Sequence, residues 1–363
     1  MDPELLERTL NALFPHDQEE TTSARILDAS GSDHPPPPVT ALELSKAIKK
    51  MISKNTAPGP DGTPGKAMSL ALSVLHEEMI ETLNKCLREG IIPKCWKESR
   101  LVLIQKPGKE PNSPAAFRPI CLMNEAGKIC ERILMTRITE HLNTIGPNLH
   151  NHQYGFRQKR STIDAIARVV TIIENTIKQN GVALAVAVDV ANAFNSLPRR
   201  AIREGLERHQ LPGYLKKIIG SYLTGRTWYN KVVYKDKNGY THREVNRGVP
   251  QGSVLGPLLW NLGYDEVLHA PLPLGVYVTC YADDTLLIAC GRKWNRTIRL
   301  MEVGLAALVQ RISALGLGGN SAKDEGCMVS WATPKPAPTT IMGCDGGGED
   351  SSRTTTEIPG GSA

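Results

Sequence analysis

The chain has 363 residues, 40% of them apolar, which suffices for one large or two medium domains with a real core. Its net charge of +6, from 43 basic and 37 acidic residues, is too mild to establish a polyanion partner by itself. The eight cysteines form no Cys-x-x-Cys pair and no zinc-ligand spacing, and the charged N-terminus lacks an apolar signal stretch, which argues against disulfide-rich, zinc-binding and secreted classes and for reduced thiols in an intracellular protein.

Residues 1–39 are polar and end in four prolines at 35–38, which reads as a linker or disordered lead-in. Thr40 caps the first strong helix, with Ala41, Leu44, Ile48 and Met51 on one face. That helix stops before the turn Ala57-Pro58-Gly59-Pro60-Asp61-Gly62, and a second helix is expected over 66–88. Residues 96–105 read as a strand and 126–145 as a helix. Ser161 with Asp164 makes a capping-box start for a helix over 162–179. The longest apolar run, Val182–Val188, is too short to cross a bilayer and reads as a buried strand reaching 190. Short helices over 199–209 and 214–223 precede a strand over 227–234, and Asn238-Gly239 signals a hairpin into 240–245. A helix over 257–268, strands over 276–281 and 285–289 around an acidic turn, and a long helix over 294–315 follow. From 334 onward the composition predicts a disordered tail. The pattern is α+β: a few antiparallel strands bearing acidic residues, packed against helices on one face, in a domain over 40–333.

Three segments carry chemistry. Tyr281-Ala282-Asp283-Asp284 places two carboxylates on a tight turn; adjacent carboxylates repel unless a cation lies between them, and Mg²⁺ is held in that way, although Asp is also an ordinary turn residue. Asp189 ends an otherwise buried strand, where a metal would compensate its charge; a helix N-cap is the alternative. The stretch from Arg247 to Pro257, with Gln251 held between Pro250 and Gly252, makes a rigid loop that lets backbone approach a ligand, or else a plain strand-to-helix turn. Basic clusters at Lys94–Lys97 with Arg100, Lys106 and Lys109, at Arg157, Lys159 and Arg160, and at Arg292, Lys293, Arg296 and Arg299 suit phosphate backbones or a solvated surface.

In this order the three segments resemble the palm motifs of reverse transcriptases. Residues 101–109 (LVLIQKPGK) and 117–134 (FRPICLMNEAGKICERIL) resemble the fingers motifs. Residues 57–62 (APGPDG) and 153–166 (QYGFRQKRSTIDAI) resemble blocks of the non-LTR, LINE-type enzymes, and 315–325 (LGLGGNSAKDE) the later palm motif. The match is collinear over about 40–330, and its independent motifs make chance agreement negligible.

The resemblance implies a right-hand polymerase fold, α+β, whose antiparallel palm sheet is backed by helices beside a fingers subdomain, with fingers over about 40–180 and palm over about 181–333. It implies an RNA-directed DNA polymerase adding dNTPs to a primer 3′-hydroxyl. Asp189, Asp283, Asp284 and the Val190 carbonyl would hold two Mg²⁺ ions, with Mn²⁺ a possible substitute. Lys106 and Arg118, with Lys109 a further candidate, would reach the triphosphate. Phe194 would exclude a ribose 2′-hydroxyl, unless it is a core ring. Gln251 and Tyr281 would contact the nucleotide site, and Lys323 would act as general acid to pyrophosphate. RNA template, DNA primer and dNTPs are the implied partners, with no membrane, and the nucleus is the implied compartment. Asp324 and Gly318-Gly319-Asn320 depart from the family pattern. Neither a thumb nor an endonuclease is legible, so those regions are expected elsewhere in a larger polyprotein. An inactive relic that only binds nucleic acid is the alternative reading. An RNA polymerase is disfavoured by Phe194 and the Tyr-Ala-Asp-Asp turn, and an intron maturase by the LINE-like fingers blocks.

Overall fold

A computed structural model describes residues 3–15, 35–52, 56–233, 238–317 and 328–331. Lys323, Asp324 and the tail from 334 lie outside these residues.

In chain order, helix α1 (Pro3–Leu13) is followed by α2 (Ala41–Ile52), α3 (Gly65–Leu72), α4 (His76–Glu89) and the single turn α5 (Lys94–Lys97). Strands β1 (Glu98–Gln105) and β2 (Phe117–Met123) lead into α6 (Glu125–Thr144) and α7 (Thr162–Lys178). Then come β3 (Val182–Val188), α8 (Ala193–Ser196), α9 (Arg199–Arg208), α10 (Gly213–Leu223), β4 (Arg226–Val233) and β5 (Asn238–Val245). Helix α11 (Gly256–Leu268), β6 (Val276–Tyr281), β7 (Asp284–Gly291), α12 (Trp294–Ala314) and β8 (Met328–Trp331) complete the set.

The strands make two four-stranded sheets, ordered β2-β1-β4-β5 and β6-β7-β3-β8. In the second, every neighbouring pair is antiparallel, as the palm resemblance implies. Alternation along β3 sends Leu184 and Val186 into the main core, where they join Val278, Cys280, Leu287 and Ala289 from the flanking strands. Helix α12 packs here through Met301, Leu308 and Ile312, which recur at helical spacing; each buried aliphatic side chain contributes about 1.5–3 kcal/mol. Helix α11 shares this face: Tyr264 Oη lies 3.0 Å from Thr285 Oγ1, whose side chain points with that of Cys280. Helix α7 adds cover on the opposite face, since Arg168 Nε donates to Thr279 Oγ1 at 3.3 Å and Thr279 alternates with Cys280. Toward the acidic turn that face opens, leaving Ala187 exposed.

The first sheet is mixed, with β1 parallel to β4 and the other pairs antiparallel. Its cover is α1, which buries Leu10 with Leu101, Cys121 and Trp228, and Leu13 with Ala116 and Phe117. For the described residues 3–15 this corrects the reading of 1–39 as a linker. The proline segment is also docked: Arg137 donates to the Pro37 and Pro38 carbonyls at 2.8 and 3.0 Å while its guanidinium pairs with Glu43 at 2.7 Å. Leu6, Leu10 and Leu13 recur at helical spacing in α1, but the partners they pack against are remote in sequence.

Two boundaries also differ. The helix expected over 66–88 breaks into α3 and α4, and Asn238-Gly239 is strand, since Val233 pairs with Asn238 and Val232 with Gly239. Residues 234–237, between the paired strands, lie outside the described set.

The sheets are joined by the Gly/Pro loop. Its Gln251 carbonyl accepts from Cys121 N–H of β2 at 2.8 Å, and Gly248 N–H and Val249 N–H donate to the Leu197 and Phe194 carbonyls, each at 2.8 Å. Gly248 and Gly252 hold φ of +73° and +110°, and a Cβ on either would press into the Asn195 or Cys121 backbone at 2.5 and 2.7 Å. The dense glycine of this loop is thus required by its two-sided docking.

Candidate active site

Pairing registers bring the acidic residues to one end of the second sheet. Val188 pairs with Thr285 and Tyr281 with Asp284, so Asp189, one step past Val188, leaves β3 beside the β6–β7 turn that carries Ala282 and Asp283. Asp283 is half-buried and Asp284 exposed. Burial raises the Asp283 carboxyl above its usual range, and the charges of Asp284 and then Asp189 push it the same way. The three carboxylates therefore share one electrostatic field. Among the described residues none of them forms an ion pair.

Residues of the first sheet and the turn after β1 lie near the same field. Lys106 is half-buried, and its ammonium is lowered by burial and by the neighbouring charges of Lys109 and Arg118, while Asp189 acts in the opposite sense. Lys106 and Lys109 sit on a tight turn after β1, closed by Lys109 N–H to the Lys106 carbonyl at 3.3 Å, and Arg118 is exposed on β2. Lys106, just past the end of β1, thus lies close enough to Asp189 of the second sheet's acidic end to feel its charge.

The donor chemistry suits a hard divalent cation: like-charged carboxylates, none of them in an ion pair, with the Asp283 carboxyl raised by burial and by its acidic neighbours. As placed, no three His, Cys, Asp or Glu side chains among the described residues converge closely enough to hold an ion. The fit therefore rests on donor type and shared field. The Val190 side chain is in the core, 7% exposed.

Phe194 lies on α8, its ring half-buried, stacked on Trp260 at 5.4 Å and meeting the Phe156 edge at 6.0 Å. Gln251 and Tyr281 are half-exposed. Asn192, at φ +52°, ties this region to α1 by donating from Nδ2 to the Leu13 carbonyl at 2.8 Å.

Sequence reasoning assigned no role to Gln153, which is 1% exposed beneath the acidic turn. Its Oε1 accepts from Ala282 N–H at 2.9 Å and from Gly155 N–H at 2.9 Å, and its Nε2 donates to the Ala282 carbonyl at 3.1 Å. Ala282 is left-handed, φ +62°, a conformation costing an alanine roughly 1 kcal/mol. The available signal was the Gln-Tyr-Gly-Phe block itself, in which Gln153 precedes a glycine that meets this turn: a Cβ on Gly155 would lie 2.2 Å from Ala282 N.

The chain is similar to known proteins over most of its length. The sequence signature of the family described as reverse transcriptase (RNA-dependent DNA polymerase) matches residues 104–346. The chain is 29% identical over 301 residues to the Retrovirus-related Pol polyprotein from type-1 retrotransposable element R1 of Bradysia coprophila, covering 82% of this chain and 28% of that one. It is 31% identical over 337 residues to the Probable RNA-directed DNA polymerase from transposon X-element of Drosophila melanogaster, covering 89% and 35%. It thus spans roughly a third of the length of these curated relatives. A solved apo telomerase from Candida tropicalis, truncated from its C-terminal domain, is similar over 73% of this chain and 56% of its own, at 14% identity and a TM-score of 0.49.

Proposed function

The chain belongs to the reverse transcriptase family, and from that premise we propose that it performs nucleotidyl transfer as the fingers-and-palm part of a non-LTR retrotransposon RNA-directed DNA polymerase. The observation that carries this reading is the pairing of Val188 with Thr285 and of Tyr281 with Asp284, which sets Asp189 beside the Asp283 turn.

Asp189, Asp283, Asp284 and the Val190 carbonyl would hold two Mg²⁺ ions, which when bound would favour ionisation of a primer 3′-hydroxyl and offset charge on the triphosphate. The chain's own residues do the rest. Lys106 and Arg118, from the first sheet, would bind phosphate oxygens of a dNTP; the planar guanidinium can do so in two places. Phe194, braced by Trp260 and by the bond from Val249 N–H to its carbonyl, would close the space a ribose 2′-hydroxyl needs. Gln251, its backbone fixed to β2, and Tyr281 would line the nucleotide site. Lys323 would protonate the leaving pyrophosphate. RNA template and DNA primer would lie between the two sheets, held through their backbones.

The test is primer extension on an RNA template with Mg²⁺, comparing dNTPs with rNTPs. Asp283→Asn should reduce dNTP incorporation by about 10³-fold or more, since it removes charge from the group that faces the ions. Incorporation surviving that change would overturn the reading. A second reading, a chain that binds nucleic acid without copying it, is favoured by the lack of a convergent ligand set among the described residues. Salt-sensitive RNA binding with no incorporation by the wild type would select it.

A further inference from the structure

We propose that Gln153 is a positioning residue for the acidic turn: its side-chain amide clamps the Ala282 peptide and thereby fixes where the Asp283 carboxylate points. The inference rests on the reading of Asp283 as a metal-binding carboxylate.

A left-handed alanine is not self-maintaining. Its neighbours must hold it, because an L side chain crowds its own backbone in that conformation. Gln153 meets both polar groups of Ala282, accepting from the N–H at 2.9 Å and donating to the carbonyl at 3.1 Å. These bonds link residues 129 apart in sequence and are screened from water, where their loss leaves polar groups unsatisfied.

The clamp is itself anchored twice. On one side, Cys280 N–H donates to the His152 carbonyl at 2.9 Å and Tyr154 N–H to the Cys280 carbonyl at 2.8 Å, so residues 152–154 run along β6 as a short parallel bridge. On the other, Asn261 of α11, 1% exposed, donates from Nδ2 to the Gly155 carbonyl at 2.9 Å. Helix α11 follows directly from the Gly/Pro loop, so the loop that carries Gln251 and the turn that carries Asp283 are referenced to one helix through Gln153. An amide is suited to the task because it offers a donor and an acceptor together and adds no charge beneath three carboxylates.

Three measurements on the full chain test this. First, hydrogen exchange: the Ala282 amide of the wild type should be protected like a strand amide, and Gln153→Met, similar in length without a polar head, should speed its exchange by about tenfold or more. Second, Mn²⁺ binding by the protein alone should weaken by roughly tenfold in Gln153→Met while the melting transition stays cooperative. Third, in primer extension the variant should lose about tenfold or more in kcat with KM for the primer–template within about twofold, the split expected of misplaced reacting groups. An unprotected Ala282 amide in the wild type, which needs no variant, would overturn the clamp. So would faster exchange in Gln153→Met with Mn²⁺ affinity and kcat unchanged, since Gln153 would then serve loop packing only. A wild type that extends no primer would defeat the polymerase reading, while exchange and Mn²⁺ affinity would still decide the clamp.

Discussion

Asp283 binds its proton more tightly in the folded chain than an exposed carboxyl does, because burial and then the charges of Asp284 and Asp189 disfavour its ionised form. The sign of the consequence follows by linkage. Between the ordinary carboxyl range and the raised folded value, the native state carries more protons than the unfolded one, so stability falls as pH rises through that window. The ionised Asp283 carboxylate is therefore a destabilising charge in the metal-free protein. Asp283→Asn, which abolishes that charge, should melt about 1–3 °C higher than the wild type near pH 7 without divalent ions. The gain should shrink as pH drops below about 4, where the wild-type carboxyl is protonated too. Scanning calorimetry at both pH values checks this, and equal melting temperatures near neutrality would show that the carboxylate is not strained. The contrast with Gln153 explains what a sequence discloses at this scale. Asp189 ends an apolar run and Asp283 adjoins Asp284, so each breaks a local pattern and is noticed. A buried amide breaks none, and Gln153 acquires meaning only from backbone partners across the fold.

Elements with strong local signals form where the sequence places them. Ser161 and Asp164 make the expected capping box, each side chain bonded to the other's backbone N–H, and α7 follows. Apolar spacing likewise located α6, α9, α10 and α12, and the short acidic interval located the β6–β7 turn. Helix α1 was missed although Leu6, Leu10 and Leu13 recur at helical spacing, because the polar residues and prolines after it made the whole segment read as a linker and the sheet it covers is assembled more than eighty residues later. Asn238-Gly239 misled for a related reason: local turn preference yields to the ladder that pairs Asn238 with Val233. Between elements, Glu131 of α6 is a further support that no pattern announces. It is 3% exposed and accepts from Val254 N–H at 2.6 Å and Leu255 N–H at 3.1 Å, tying the start of α11 to the fingers helix. Burial raises its carboxyl, while Arg226 and these two amides favour its charge. Glu131→Ala would strand both amides away from water at a cost of about 2–4 kcal/mol. Denaturant unfolding should show that loss as a shifted midpoint, and an unchanged midpoint would mean the loop holds without α6.

At the scale of the whole molecule, the Gly/Pro loop ties the two sheets together, and groups of opposite charge stand on them. Carboxylates close the end of one, and Lys106 stands just past β1 of the other, within electrostatic reach of Asp189 and of its neighbours Lys109 and Arg118. A cleft polarised in this way suits a ligand that is both anionic and accompanied by cations, as a primer–template with a dNTP would be. Its backbone would then contribute most of the affinity and no sequence preference. The exposed residues Arg292, Lys293, Arg296 and Arg299 at the start of α12 enlarge the basic surface beyond the cleft. If about five phosphates are neutralised on binding, log K for an RNA–DNA hybrid should fall against log salt with a slope of roughly −4 to −5. Replacing Lys106 and Arg118 together by alanine should flatten that slope by about one to two in the presence of a dNTP, because each cation removed releases one fewer counterion. The same pair should leave the slope nearly unchanged for the hybrid alone if both residues serve the triphosphate instead of the template. Titrations over a range of salt with and without dNTP separate the two cases. A slope near zero in both would mean that the hybrid is not held by its phosphates, and the charge opposition between the sheets would then have no nucleic-acid role.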